Sequence, residues 1–178
     1  MKVKKNNRIA IIRSLLIVLP CLIMMSCNQI TIGEIVGTYS YKSSGIVTIS
    51  DNSSTYDTSI DNIIGTLDVK KLPKGDSVLL VFNELNSDVV TVRAQVQGDS
   101  IFFDPYQKVY TITTTSTNIF QVGSTTTSKY LVTLYGYGVV MDNSLIFYQR
   151  ILSGKVLQTG KTQSIRSNNI KTVAKKNR

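Results

Sequence analysis

Histidine and tryptophan are absent from the 178 residues, and the two cysteines, Cys21 and Cys27, both stand near the start. Beyond residue 27 the chain therefore has no imidazole, no thiol and no means of forming a disulfide. These gaps remove whole classes of chemistry from the body of the chain. Triads that need His, zinc sites built from His or Cys, haem held by His and nucleophilic Cys are all excluded. No metal site and no cofactor is expected, and any enzyme here would have to work with carboxylates, Lys, Tyr or Ser.

Acidic residues are also scarce: eleven stand against twenty Lys and Arg, for a formal charge of +9. The excess is not spread evenly. Lys2, Lys4, Lys5, Arg8 and Arg13 crowd the first residues, and Lys161, Arg166, Lys171, Lys175, Lys176 and Arg178 occupy the last 18 without an acid among them. Between Asn28 and Gly160 there are 9 basic and 11 acidic side chains. A near-neutral body argues against an extended phosphate-binding face, so no nucleic-acid partner is expected. The final segment, 161–178, reads as a basic disordered tail able to adhere to anionic headgroups or to an envelope polymer.

From Met1 to Arg13 the chain is basic, and Ser14 to Met25 is apolar. A helix of that length rises about 18 Å, well short of a hydrocarbon core of roughly 30 Å, so the run reads as a signal-peptide core rather than a permanent span. Met24-Met25-Ser26-Cys27 then resembles the lipobox of bacterial lipoproteins, with a small residue immediately before the modified Cys. Met24 departs from the Leu usual in that family. The resemblance implies cleavage after residue 26, acylation of Cys27 with palmitate-type chains, and stable anchoring, since two or more chains hold a protein on a membrane. Asn28 is not the Asp that retains enteric-type lipoproteins in the inner membrane. The expected location is the outer membrane, facing the periplasm, with residues 27–33 as a short tether.

Beyond Thr31, period-two alternation recurs throughout, with heavy use of Val, Ile, Thr, Tyr and Phe. This is the signature of half-buried strands rather than helices. In Val90 to Gln97 the apolar residues Val90, Val92, Ala94 and Val96 share one face and Thr91, Arg93, Gln95 and Gln97 the other. Turn residues centred on Asn52, Asp76, Asp99, Gly123 and Asn143 recur at roughly 22-residue intervals, the rhythm of an antiparallel meander. About ten strands are predicted: Glu34 to Lys42, Gly45 to Ser50, Ile63 to Lys70, Ser77 to Leu85, Val89 to Gln97, Ser100 to Phe103, Val109 to Thr114, Asn118 to Val122, Tyr130 to Tyr137, Leu145 to Leu152, with Lys155 to Thr159 in addition. The fold class is all-β, with one domain over 34–160. An up-and-down barrel fits sequential hairpins and hides the sheet edges. An immunoglobulin-like sandwich is the alternative.

Gly37-Thr38-Tyr39 is similar to the Gly-x-Trp signature that opens lipocalins, with Tyr in place of Trp. Together with the lipobox it makes the chain resemble the small lipocalin-like lipoproteins of bacterial envelopes, over roughly Ile35 to Leu157. That resemblance implies that the Tyr39 ring plugs the closed end of the barrel and that a late basic residue, Arg150, packs on it.

No reactive constellation emerges from the acids. Asp51, Asp57, Asp61, Asp76, Asp88, Asp99, Asp104 and Asp142 lie at or beside predicted turns, which explains them, and Glu34, Asp68 and Glu84 have no spacing that demands a shared site. The chain is read as non-enzymatic. In TLYGYG, Tyr135 and Tyr137 fall on one face and Gly136 and Gly138 on the other, which makes the two tyrosines candidates for ligand contact. The Thr-rich stretch between Thr111 and Lys129 reads as solvent faces of strands. Two functions follow: a membrane-anchored envelope protein holding a small apolar or amphipathic ligand inside its barrel, or a protein-interaction or structural module such as a surface-assembly subunit or an inhibitor. The two differ in whether the barrel interior is empty or filled.

Overall fold

The alternation of apolar and polar residues is realised as nine strands. The computed structural model describes residues 30–60, 63–85, 87–118, 121–158, 160 and 162–177; the export segment and Cys27 lie outside them. A one-turn helix α1 (Ile32–Ile35) leads into β1 (Gly37–Ser50), β2 (Thr55–Ser59), β3 (Ile63–Lys71), β4 (Ser77–Glu84), β5 (Val90–Gln97), β6 (Ser100–Asn118), β7 (Gln121–Met141), β8 (Ser144–Val156) and β9 (Ser164–Lys176). Every pairing is antiparallel, and each strand from β3 to β8 pairs with its successor. β2 pairs with the second half of β1, and β3 with the first half. These two strands thus share one flank of β1, while β9 takes the other from Tyr39↔Lys176 to Ser50↔Ser164. The sheet closes on itself into an up-and-down barrel of eight positions, not a two-layer sandwich.

Several expected boundaries move. Glu34 and Ile35 belong to α1, so the first strand starts at Gly37, and the two strands expected between Glu34 and Ser50 are one. Gly123 is no turn: it lies in β7, where Ser124 pairs with Ser116 and Gln121 with Asn118 in the long β6–β7 hairpin. The strand expected over Asn118 to Val122 therefore straddles a hairpin end. The largest correction is the tail: residues 164–176 are β9, the strand that closes the barrel. The cause is alternation hidden among charges, because Ile165, Ser167, Ile170, Thr172 and Ala174 point inward while Arg166, Lys171 and Lys175 point out.

Inside, the barrel is packed in three levels. At the end near α1, Tyr39, Leu67, Leu80, Ile101 and Leu145 are buried. At the far end Ile49, Tyr130, Val132, Leu134, Ile165 and Ile170 form a second core. Each such side chain contributes about 1.5–3 kcal/mol by leaving water. Between these levels aromatic rings meet across the ring of strands. Phe82 on β4 and Phe147 on β8, four positions apart and so on opposite walls, lie 5.8 Å apart edge to face. Tyr41, Phe103 and Tyr106 complete this layer, with ring separations of 5.7 Å (Tyr41–Phe82), 6.3 Å (Phe82–Tyr106) and 6.2 Å (Phe103–Phe147).

Polar groups in this layer satisfy one another. Glu84 and Lys108 form a buried ion pair, and the Tyr41 hydroxyl donates to Glu84 Oε1 at 2.7 Å. Beside them Gln149 Nε2 donates to the Tyr106 hydroxyl at 2.6 Å and Thr172 Oγ1 to Gln149 Oε1 at 3.1 Å, with Ser43 Oγ 2.6 Å from Thr172 Oγ1. Burial holds the Lys108 ammonium below the ordinary lysine range, and it pushes the Tyr41 hydroxyl well above that of a free phenol, with the Glu84 charge adding to the effect. A buried ion pair is tolerated only when its remaining hydrogen-bonding capacity is met, which Tyr41 helps to do.

Tyr39 lies at the end of the barrel beside α1. Its hydroxyl donates to the Ile35 carbonyl at 2.8 Å and its ring is buried. The basic group over that ring is not Arg150, which is exposed on β8, but Lys176: its Nζ sits 5.9 Å from the ring centroid and donates to the Glu34 carbonyl at 2.7 Å. Gly37 adopts φ +146°, and a Cβ there would lie 2.8 Å from Lys176 Cε, so the glycine serves both the backbone turn and the close approach of that lysine.

Candidate functional site

Among the described residues the buried charged side chains are Glu84 and Lys108, which neutralise each other, and no group of three or more Asp, Glu, His or Cys comes together. The outer wall of β6 to β9 carries the distinctive chemistry.

Parity on β7 explains its origin. Val132, Leu134 and Val140 point inward, and Gly136 and Gly138 take the intervening inward positions because the wall behind them is crowded. A Cβ on Gly138 would lie 2.8 Å from the Phe147 ring, and one on Gly136 would collide with the Tyr148 carbonyl oxygen. The glycines therefore admit β8 closely, and Tyr135 and Tyr137 project outward, 42% and 46% exposed.

Register then assembles the outward residues. Phe102, Tyr137, Tyr148 and Lys171 are directly paired across β6, β7, β8 and β9. Phe102 and Tyr148 are also exposed, so three aromatic side chains stand side by side in water at the strand spacing of roughly 4.8 Å. The Tyr137 and Tyr148 ring centroids are 5.5 Å apart, and Lys171 Nζ lies 6.0 Å from the Tyr148 ring. One step along the barrel, Tyr135 pairs with Arg150, whose guanidinium carbon is 5.1 Å from the Tyr135 ring. Arg150 thus belongs to this face, with the predicted Tyr135 and Tyr137.

A bulge on β9 completes one side. Gln149 and Ile151 pair with Ile170 and Ser167, and Ile46 and Thr48 with Asn169 and Arg166, so β9 has one residue more than either neighbour here. The bulge is pinned by Ser167 Oγ, which donates to the Ile46 carbonyl at 2.5 Å and accepts from Asn169 N–H at 3.4 Å. Its effect is to leave two successive side chains, Asn168 and Asn169, exposed; bulges commonly re-aim side chains in this way beside sites. Tyr135, Tyr137, Tyr148, Gln149, Arg150, Asn168 and Asn169 line a groove of about 460 Å³.

The electrostatics are one-sided. β1, β7, β8 and β9 contain no carboxylate, whereas Lys42, Lys129, Arg150, Lys155, Arg166, Lys171 and Lys175 are exposed on them. Folding the basic C-terminal segment into the wall turns a run of charge into a positively charged face beside the tyrosines. The alternation in LIFYQRIL already places Tyr148 and Arg150 opposite Phe147, but Phe102, Lys171 and the asparagine bulge join the site only through strand register. No protein-family model and no curated protein matches the chain, so geometry and side-chain chemistry carry the functional reading.

Proposed function

We propose that the chain is a lipid-anchored lipoprotein of the bacterial envelope, non-enzymatic, whose barrel is a solid scaffold presenting the β6–β9 outer face to an envelope partner. The lipobox-like Met24-Met25-Ser26-Cys27 supports the anchor, with the outer membrane facing the periplasm as its place. Gly37, the Tyr39 plug and the basic Lys176 on that plug support a lipocalin-like ancestry, with Lys176 in the position first expected of Arg150. The observation that carries the interaction reading is the contact of Phe82 with Phe147 across the barrel. Rings from opposite walls in contact occupy the space that a lipophilic ligand would need, while aromatic side chains stand exposed outside. Exposed aromatic clusters of this kind mark interaction surfaces.

The test is site-specific photocrosslinking in intact cells. A crosslinker at position 137 or 148 is expected to capture a discrete envelope component, and one at exposed Thr91 on β5 is not. Equal, diffuse labelling at all three positions would defeat the proposal. For the anchor, Cys27→Ala is expected to abolish acyl incorporation by mass spectrometry and release the protein from membranes.

A further inference from the structure

The groove on the outer face has a composition that specifies its occupant more narrowly. Flat phenol rings expose apolar faces with a polar rim, the surface that stacks on the C–H face of a pyranose ring. The amides of Asn168 and Asn169 and the guanidinium of Arg150, which lies over the Tyr135 ring, supply planar donors in the same groove, suited to hydroxyl and carboxylate oxygens. The row Phe102–Tyr137–Tyr148 runs across the strands, so aromatic groups repeat at a spacing comparable to one sugar unit. The row ends on Lys171; exposed Asp104 on β6 stands near Phe102 and Tyr135, but β7, β8, β9 and β1 carry no carboxylate, so the β8–β9 side of the face favours a partner that carries negative charge.

The geometry points to an acidic polysaccharide as the occupant, bound by stacking on Tyr137 and Tyr148 and by pairing of its carboxylates with Arg150 and Lys171. This rests on the reading of the face as an interaction surface. A planar bilayer suits the site less well, because the row spans four neighbouring strands of an eight-position barrel and therefore curves away from any tangent plane.

The experiment is affinity electrophoresis of the full chain in detergent micelles, with polygalacturonate in the gel as probe and its methyl-esterified form as the uncharged comparison. Retardation by polygalacturonate is expected, about tenfold weaker for the esterified polymer, with loss of about tenfold in apparent affinity for Tyr148→Ala, Tyr137→Ala and Arg150→Gln. Tyr148→Phe keeps the ring and is expected to keep binding, and an unchanged urea midpoint in every variant separates loss of stacking from loss of fold. Absence of retardation, or retardation unaffected by the two alanine variants, overturns the assignment. So does retardation by micelles containing phosphatidylglycerol without any by polygalacturonate, which gives the face to anionic lipid. If the polymer fails while crosslinking at position 148 still captures one component, the interaction surface stands and the saccharide assignment alone falls.

Discussion

The residues that fill the barrel and those that carry charge within it respond differently to substitution. Phe147 is fully buried and touches rings from two other strands, so Phe147→Ala is expected to cost about 3–5 kcal/mol in urea unfolding. The same variant should gain affinity for a small apolar dye that the parent does not bind, because the room a ligand needs is made by removing that ring. At the ion pair, Lys108→Met leaves Glu84 buried with only the Tyr41 hydroxyl and is expected to cost about 3–5 kcal/mol. The double variant Glu84→Leu/Lys108→Met should recover most of that loss, because both desolvated charges are gone. Asp51 gives the pH dependence. Its Oδ1 accepts from the backbone N–H groups of Ser53 and Ser54, which hold its carboxyl at about 2. Since the folded value lies below the unfolded one, its contribution is complete above the ordinary carboxylate range of about 4 and disappears as pH falls toward 2. Urea midpoints of the parent and Asp51→Ala should therefore differ at pH 5 and converge near pH 2.

At the scale of the element, period-two patterning made the all-β class and the meander legible, since inward residues such as Val92, Ala94 and Val96 on β5 leave little ambiguity. Charge misled where it overlay the same pattern. In SIRSNNIKTVAKK the basic residues drew attention from an alternation that resumes, one residue out of phase, after the bulge at Ser167 to Asn169. Thr-rich repetition hid the end of the β6–β7 hairpin, because Gly123 has the chemistry of a turn residue yet lies within β7. The site was half legible. Tyr135 and Tyr137 share a face by parity alone, and the same parity in LIFYQRIL puts Arg150 outside, where no residue facing the interior such as Tyr39 can meet it. Phe102, Lys171 and the asparagines depend on register between strands, which alternation does not specify. Deletion of residues 164–178 tests the corrected reading. A disordered tail would be dispensable, but removing β9 takes away the buried Ile165, Ile170 and Ala174 and unpairs both β1 and β8. Near-ultraviolet circular dichroism and cooperative urea unfolding are both expected to be lost, since total stability for a domain of this size is about 5–15 kcal/mol.

For the whole molecule, the interior is packed and the outer face of β6 to β9 is rich in aromatic and basic side chains, so under the proposed function support and recognition fall to different residues. Substitutions at Tyr137, Tyr148 or Arg150 should change binding at nearly constant stability, and those at Phe82 or Phe147 should do the reverse. Closure of the sheet by β1 and β9 has a kinetic consequence. β1 finds its outer partner only once β9 has been made, so a chain still growing on the ribosome has an unclosed sheet at every length short of Ser164. Contacts of such high sequence separation form slowly. Joining β1 to β9 is thus the slow, committing event of folding, and every earlier hairpin waits on it for its second edge.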